Sequence, residues 1–213
     1  MKAALLPVKE PSQAKQRLAH LLSVAEREQL AFCMFDDVMN ALTAADGLDL
    51  IAVISSNRTI LGQAEKRGAL ALKEREQRGH SHSADSGAKL CMSRGVETLL
   101  MVPIDVPLIK PSEIEELLVP GPDLIIVPSA DGTGTNALVR TPPDVIESRF
   151  GPGSFAAHRA QAEAKGLSYQ VRRPSGLTFD IDTPEDLAVF LSNRRECKSY
   201  RLLMELNIKE RLN

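Results

Sequence analysis

The stretch TLLMVPID at residues 98–105 determines the fold that we expect, because it places a short apolar run directly before a single carboxylate. Three further runs of this kind are almost continuous in hydrophobicity: AALLPV at 3–8, LIAVI at 50–54 and DLIIV at 123–127. A strand with one solvated face alternates apolar and polar residues, whereas a strand covered by helices on both faces does not. The four runs therefore predict parallel strands inside a sheet.

Helical patterns separate these strands. Ser23 and Glu26 form a capping box before a segment in which apolar residues recur every four positions, at Leu30, Met34, Val38 and Leu42. Further helices are predicted over 59–66, 85–94 and 111–118. Strands that alternate with helices are typical of an α/β fold with a mostly parallel sheet flanked by helices.

The second half of the chain is less regular. A strand is predicted over 136–139 and another over 167–172, a helix over 154–165, and a capped helix start at Thr183. The tail from residue 194 is basic and is expected to be helical around 201–206. Because no linker is long enough to separate two units, we expect one domain over 1–213, with 194–213 as a C-terminal helical tail.

Composition disfavours several classes of protein. The 213 residues include 26 Lys and Arg against 28 Asp and Glu, a formal net charge of −2, which leaves no surplus positive charge for nucleic acid. Three Cys residues without a paired spacing indicate neither a disulfide framework nor a zinc cluster. No apolar run reaches the length of a membrane span, so we expect a cytoplasmic protein that binds neither membrane nor nucleic acid.

Acidic residues follow the apolar runs, where the ligands of parallel α/β sheets bind. Asp105 lies among apolar neighbours, and an unpaired carboxylate there would be costly. Asp180 and Asp182 are two residues apart, so in an extended segment both face the same side. A Mg²⁺ ion would resolve the cost at Asp105, since it prefers carboxylates and phosphates. The alternative for each acid is a turn or a helix cap.

Basic residues follow the first strand. Lys9, Lys15 and Arg17 are close enough to one another to neutralise a polyphosphate. A solvated basic loop is the alternative, and the glycine-rich phosphate loops of other nucleotide-binding proteins are absent from the sequence. The later basic residues 194–201 are expected to form a solvated helical face, with a homodimer contact as the other interpretation.

Two polar loops are candidates for binding an anion. Thr135 and Asn136 end one Gly-rich loop, and Gly151 and Ser154 lie in the next, just before a helix. Each could also be an ordinary connection, with Ser154 as a helix cap. His80-Ser81-His82 is interpreted as a surface loop, and His158 as a residue that packs or faces water.

Taken together, these segments resemble a known family. The ordered set comprises LPVK at 6–9, AKQRL at 14–18, PIDVPL at 103–108, DGTGTNAL at 131–138, FGPGSFAAH at 150–158 and DIDTPEDL at 180–187. This set is similar to the guanylyltransferases that open coenzyme F420 side-chain synthesis. The resemblance covers most of the chain and implies a nucleotide-diphospho-sugar-transferase-like (Rossmann-like) fold.

The resemblance also implies a reaction and roles for the residues. GMP would pass from GTP to phosphoenolpyruvate, 2-phospho-L-lactate or 3-phospho-D-glycerate, with release of pyrophosphate. Asp105, Asp180 and Asp182 would hold Mg²⁺. The acid would bind at Thr135, Gly151 and Ser154 with Asn136 nearby, and the triphosphate would face Lys9, Lys15 and Arg17. A phosphate nucleophile is already anionic near neutral pH, so catalysis requires positioning and charge neutralisation rather than a general base.

Other interpretations of the same pattern stay open. One is a nucleotidyltransferase of this fold with another acceptor, such as a sugar phosphate or molybdopterin. The other is a non-catalytic nucleotide-binding module. The chain also departs from the family at residues 83–88, which read SADSGA where relatives tend to carry a Leu-Asn pair beside the base.

Overall fold

A computed structural model describes residues 1–74 and 79–212. Within these residues the strands form one seven-stranded sheet of order β3-β2-β1-β4-β6-β5-β7. All neighbouring pairs are parallel except those of β6, which runs antiparallel to β4 and β5. The strands are β1 (Lys2–Val8), β2 (Leu50–Ser55), β3 (Leu70–Lys73), β4 (Thr98–Met101), β5 (Leu124–Pro128), β6 (Thr135–Arg140) and β7 (Tyr169–Val171).

Helices cover both faces of the sheet, which confirms the predicted fold class. They are α1 (Val24–Ala44), α2 (Arg58–Lys66), α3 (His80–Met92), α4 (Pro111–Leu117), α5 (Ser154–Lys165), α6 (Ser175–Thr178), α7 (Pro184–Ser192), α8 (Lys198–Glu205) and α9 (Ile208–Arg211). The capping box at the start of α1 is present as predicted, because Ser23 and Glu26 exchange hydrogen bonds of 2.8 and 3.3 Å. In the part of the chain that is described, no helix combines the length and apolar character needed to cross a membrane.

Several predicted boundaries were wrong. Strand β3 and the short helix α6 were not predicted, and β7 is shorter than the predicted strand over 167–172. Helix α3 begins at His80, so the residues His80 to His82, which were interpreted as a surface loop, form its first turn.

The direction of each strand decides which residues meet at one edge of the sheet. Strand β1 pairs with β2 on one side and with β4 on the other, and a crevice forms at the carboxyl end of such a switch in strand order. Because β6 is antiparallel, its first residues, Thr135 and Asn136, lie at that same edge. Residues that follow β1 and β4 therefore lie on the same edge as residues that begin β6.

The C-terminal tail packs against α1 and is only partly solvated. Asp37 in α1 accepts hydrogen bonds from the backbone N–H groups of Lys198 and Ser199, at 2.8 and 2.9 Å, where α8 begins. Leu203 and Ile208 are buried in one apolar cluster with Leu18. The tail thereby supports the loop that follows β1, while Arg194 and Arg201 are exposed as expected.

A close approach at Gly176 fixes the segment that leads to Asp180. The buried carboxylate of Glu113 accepts hydrogen bonds from the backbone N–H groups of Gly176, at 2.8 Å, and Lys110, at 3.0 Å. A Cβ atom at Gly176 would overlap the carbonyl oxygen of Leu108 and Oε2 of Glu113.

We expect Gly176→Ala to lower the free energy of unfolding by about 1–3 kcal/mol, since overpacking beside a backbone carbonyl is relieved only by moving the backbone. Denaturant unfolding measures this change. Gly121→Ala is the matched control, because the nearest atom to its new Cβ would be the carbonyl oxygen of Val119 at an ordinary 3.6 Å. Equal loss in both variants would contradict the close approach.

Candidate active site

Lys15 joins two carboxylates that are far apart in sequence. Its Nζ lies 2.7 Å from Oδ2 of Asp105 and 2.8 Å from Oδ1 of Asp182. Arg17 adds a longer contact of 3.5 Å to the other oxygen of Asp182. The structure thus brings together the basic segment after β1 and the acids that follow β4 and α6, which the sequence predicted at one edge of the sheet.

Local backbone geometry holds these groups in place. The N–H of Ile181 donates to the carbonyl oxygen of Asp105 at 2.9 Å, so the two acidic segments lie side by side. Lys15 has a φ of 52°, in the left-handed region that residues with a Cβ rarely adopt. Strained backbone of this kind is frequent at functional sites.

The cap interpretation does not apply to Asp180 or Asp182. Helix α7 is capped by Thr183 and Asp186, whose side chains each accept the other's backbone N–H, at 3.3 and 2.7 Å. Asp186 also accepts the N–H of Asp182 at 2.9 Å. The carboxylates of Asp180 and Asp182 are therefore not needed to satisfy the start of α7.

The charges in this cluster shift one another's pKa values. Burial alone would raise the pKa of Asp105, but the charge and hydrogen bond of Lys15 outweigh burial and hold it below its usual value. Burial likewise opposes the charged form of Lys15, yet Asp105 and Asp182 raise the pKa of its ammonium. Both groups are thus kept ionised by their partner.

Asp180 stands apart from this pairing. Its Oδ1 accepts a hydrogen bond of 3.0 Å from Nδ2 of Asn136, which also donates to the carbonyl oxygens of Leu177 and Thr178. Burial, followed by repulsion from Asp105, raises the pKa of Asp180 to about 6. Burial is the larger cause of this raised pKa, and the repulsion by Asp105 is stronger than the attraction by Lys15.

The donor set fits a divalent cation. Asp105 and Asp182 already converge on one positive charge, and Asp180 adds uncompensated negative charge beside them. Across residues 1–74 and 79–212, however, no three metal-ligating side chains are close enough to hold an ion as they stand. In the structure Asp105 and Asp182 share the Lys15 ammonium instead. Their role as metal ligands stays a prediction.

The two polar loops meet at the start of α5. Thr135 Oγ1 lies 2.9 Å from Nδ1 of His158, and Nε2 of His158 accepts the backbone N–H of Arg149 at 2.9 Å. Ser154 is the first residue of α5, and its cap position is taken by Gly153, so the cap interpretation of Ser154 was wrong. Its buried hydroxyl has no hydrogen-bond partner in the described structure.

Other predicted residues lie around this centre. Gly151 has a φ of 123°, a conformation that favours glycine, and is exposed in the second of the two loops. Lys9 is exposed after β1, and Arg17 exposes 70% of its side chain, so both are accessible to a ligand.

Sequence reasoning missed the place of His80. It lies at the start of α3 with its ring 5.0 Å from that of Phe150, edge to face. The pKa of His80 is lowered to about 4, mainly by burial. The charges of Asp105 and Lys9 have smaller effects. A half-buried histidine in this position could have been recognised only from the packing of α3 against Phe150.

Comparison with known proteins places this site in a family context. The family model described as "Guanylyl transferase CofC like" matches residues 1–212. The chain is 41% identical over 186 residues to a phosphoenolpyruvate guanylyltransferase of Sphaerobacter thermophilus, covering 86% of this chain and 89% of the relative. It is 34% identical to a 2-phospho-L-lactate guanylyltransferase of Methanothermobacter thermautotrophicus, covering 86% and 81%.

A solved structure agrees with the fold. The crystal structure of a putative nucleotide-diphospho-sugar transferase from Desulfovibrio desulfuricans G20 superposes with a TM-score of 0.79 at 17% identity. The superposition covers 98% of this chain and 97% of that one. At this level of identity the likeness concerns the fold alone, and it confirms the architecture that the sequence predicted.

We expect Asp180→Asn to stabilise the metal-free protein by about 1–2 kcal/mol at pH 8. The folded pKa of about 6 lies above the ordinary value of 3.8, so ionisation destabilises the fold as pH rises between these values. The gain should be absent near pH 4, appear between pH 4 and 6, and stay constant above that range. Asparagine keeps the oxygen that accepts from Asn136.

Denaturant unfolding at several pH values, in the presence of a chelator, measures this difference. The matched control is Asp46→Asn, the same substitution at an exposed position. A variant that is less stable than the parent protein at pH 8 would show that Asp180 is well compensated and would contradict the electrostatic account.

Proposed function

This chain belongs to the family of CofC-like guanylyl transferases, and from that premise we propose that it transfers GMP from GTP to a phosphorylated three-carbon acid, with Mg²⁺ as cofactor. The relative with 41% identity is named for phosphoenolpyruvate, which makes that acid the acceptor we favour. The product would be the one that opens coenzyme F420 side-chain synthesis. Family membership also favours this acceptor class over sugar phosphates, molybdopterin or a non-catalytic role.

One observation carries the acceptor site: the Ser154 hydroxyl is buried and has no hydrogen-bond partner in the described residues. Buried polar groups are nearly always paired, so an orphaned hydroxyl at a loop edge supports a bound ligand there. Thr135 begins the neighbouring strand at the same edge, and Gly151 allows close backbone approach. These groups suit the carboxylate of a small acid.

The reaction forms one P–O–P bond and breaks another. A phosphate oxygen of the acid attacks the α-phosphorus of GTP, and the bond from that phosphorus to the β-phosphate oxygen breaks, so pyrophosphate leaves with the electron pair. No proton must be removed from the nucleophile. The residues' task is to hold two anions in line and to neutralise their charge.

The charged residues divide this task. Lys15 and Arg17, with Lys9 directly after β1, would neutralise the triphosphate and the departing pyrophosphate. Asp105, Asp180 and Asp182 would hold Mg²⁺, which supplies positive charge at the phosphates when bound. Asn136 orients Asp180 through its hydrogen bond of 3.0 Å.

The test offers phosphoenolpyruvate, 2-phospho-L-lactate and 3-phospho-D-glycerate in competition, with GTP and Mg²⁺, and resolves the products while pyrophosphate is measured. We expect turnover with phosphoenolpyruvate to predominate. Asp105→Asn should abolish turnover in folded protein. No turnover with any of the three acids would refute the proposal, and a different preferred acid would correct the acceptor alone.

For the acid site we expect Ser154→Ala to raise the KM for the acid about tenfold, the usual loss of a hydrogen bond to a charged group, with the KM for GTP unchanged. Steady-state kinetics with each substrate varied in turn measures both constants. Ser112→Ala, at an exposed position of α4, is the matched control. An unchanged KM for the acid in Ser154→Ala would place the acid elsewhere.

A further inference from the structure

His158 is buried with both ring nitrogens in use. Its side chain is on the inner face of α5, one turn after Ser154, and it is 0% exposed. The ring of Phe150 covers it edge to face, with centroids 5.4 Å apart. Nε2 faces the backbone N–H of Arg149 at 2.9 Å, and Nδ1 faces the hydroxyl of Thr135 at 2.9 Å.

These contacts decide which nitrogen carries the proton. A backbone N–H can only donate, so Nε2 must be the bare, accepting nitrogen. Burial, together with the positive charge of Arg140, lowers the pKa of His158 to about 4, so the ring is neutral near pH 7. A neutral ring with bare Nε2 carries its one proton on Nδ1. The Nδ1–H group therefore donates to Thr135 Oγ1.

The consequence falls on Thr135. Its hydroxyl oxygen accepts the hydrogen bond from Nδ1–H of His158, so the hydrogen of the hydroxyl group must point away from the ring. Ser154, one turn earlier on the same helix face, also has a hydroxyl without a partner in the described residues. Two hydroxyl groups whose hydrogens are unused can both donate to one anion.

We propose that His158 is a positioning residue that fixes the Thr135 hydroxyl as a hydrogen-bond donor toward the carboxylate of the acceptor acid. The backbone of Arg149 sets the tautomer, and the tautomer sets the direction of the Thr135 hydroxyl. This inference rests on the proposed function for the identity of the anion, but the tautomer itself does not depend on it. His158 touches neither substrate and transfers no proton in the reaction.

The first test measures the tautomer directly. Long-range ¹H–¹⁵N correlation spectra of histidine-labelled protein at pH 7 distinguish a protonated from a bare ring nitrogen, and the signals lost in His158→Phe identify the residue. We expect protonated Nδ1 and bare Nε2. A proton on Nε2, or a charged ring, would overturn the inference whether or not the enzyme uses any of the three acids.

The second test is a double-mutant cycle of His158→Phe and Thr135→Val. We expect each single variant to raise the KM for the acid about tenfold and to leave the KM for GTP within about twofold. If His158 acts through Thr135, the double variant should be no worse than Thr135→Val alone. Effects that multiply, or that fall equally on both substrates, would mean that His158 only supports the fold.

Two further variants keep the cycle interpretable. His158→Asn retains an N–H donor near the Nδ1 position and should recover part of the affinity for the acid if His158→Phe folds poorly. His82→Phe, at an exposed position of α3, controls for adding an aromatic ring. If the parent protein turns over none of the three acids, the proposed function fails, and the spectra still decide the inference about His158.

Discussion

The rest of the site depends on one ion-pair cluster, in which the ammonium group of Lys15 pairs with the carboxylates of Asp105 and Asp182. Asp105 follows β4 and Asp182 precedes α7, so the two carboxylates reach this edge from separate elements. The Nζ atom of Lys15 lies within 2.8 Å of both. Breaking such a partly buried pair leaves an uncompensated charge, which costs far more than an exposed pair contributes.

The single antiparallel strand gives this edge its second set of residues. In an all-parallel sheet the residues that begin a strand lie at the far edge from those that follow one. Because β6 runs against its neighbours, Thr135 and Asn136 begin where β4 and β5 end. Asn136 can then bond Asp180 while Thr135 faces α5, so one dipeptide connects the acidic cluster to the polar loops.

Much of this arrangement could be predicted from the sequence, because buried strands and the acids that follow them obey a simple rule of position. Asp105 was recognised from its apolar neighbours. The parts that were missed have physical causes. Strand β3 is four residues long and lies at the sheet edge, so its pattern is weak. Helix α3 begins after Gly79, which offers no side-chain cap to signal a start.

The site contacts between distant elements could not be predicted in the same way. The helix that begins at Ser154 looked like a serine-capped start, but Gly153 in the left-handed region takes the cap position, so the Ser154 hydroxyl is not used as a cap. His158 looked like a packing residue because Thr135 and Arg149, which occupy its two nitrogens, lie on other elements. The spacing of apolar residues in a sequence indicates which face of a helix is buried. It does not indicate which residues of other elements that face contacts.

The packing of the C-terminal tail against α1 affects which part of the protein unfolds first. The loop with Lys15 and Arg17 contains no long helix or strand of its own and is held by α1 and by the tail. Arg27 donates to the carbonyl oxygens of Ala14 and Leu22, and Arg211 to that of Leu21. A chain shortened before α8 would keep its hydrogen-bonded sheet, while the basic loop with Lys15 and Arg17 would lose its order first.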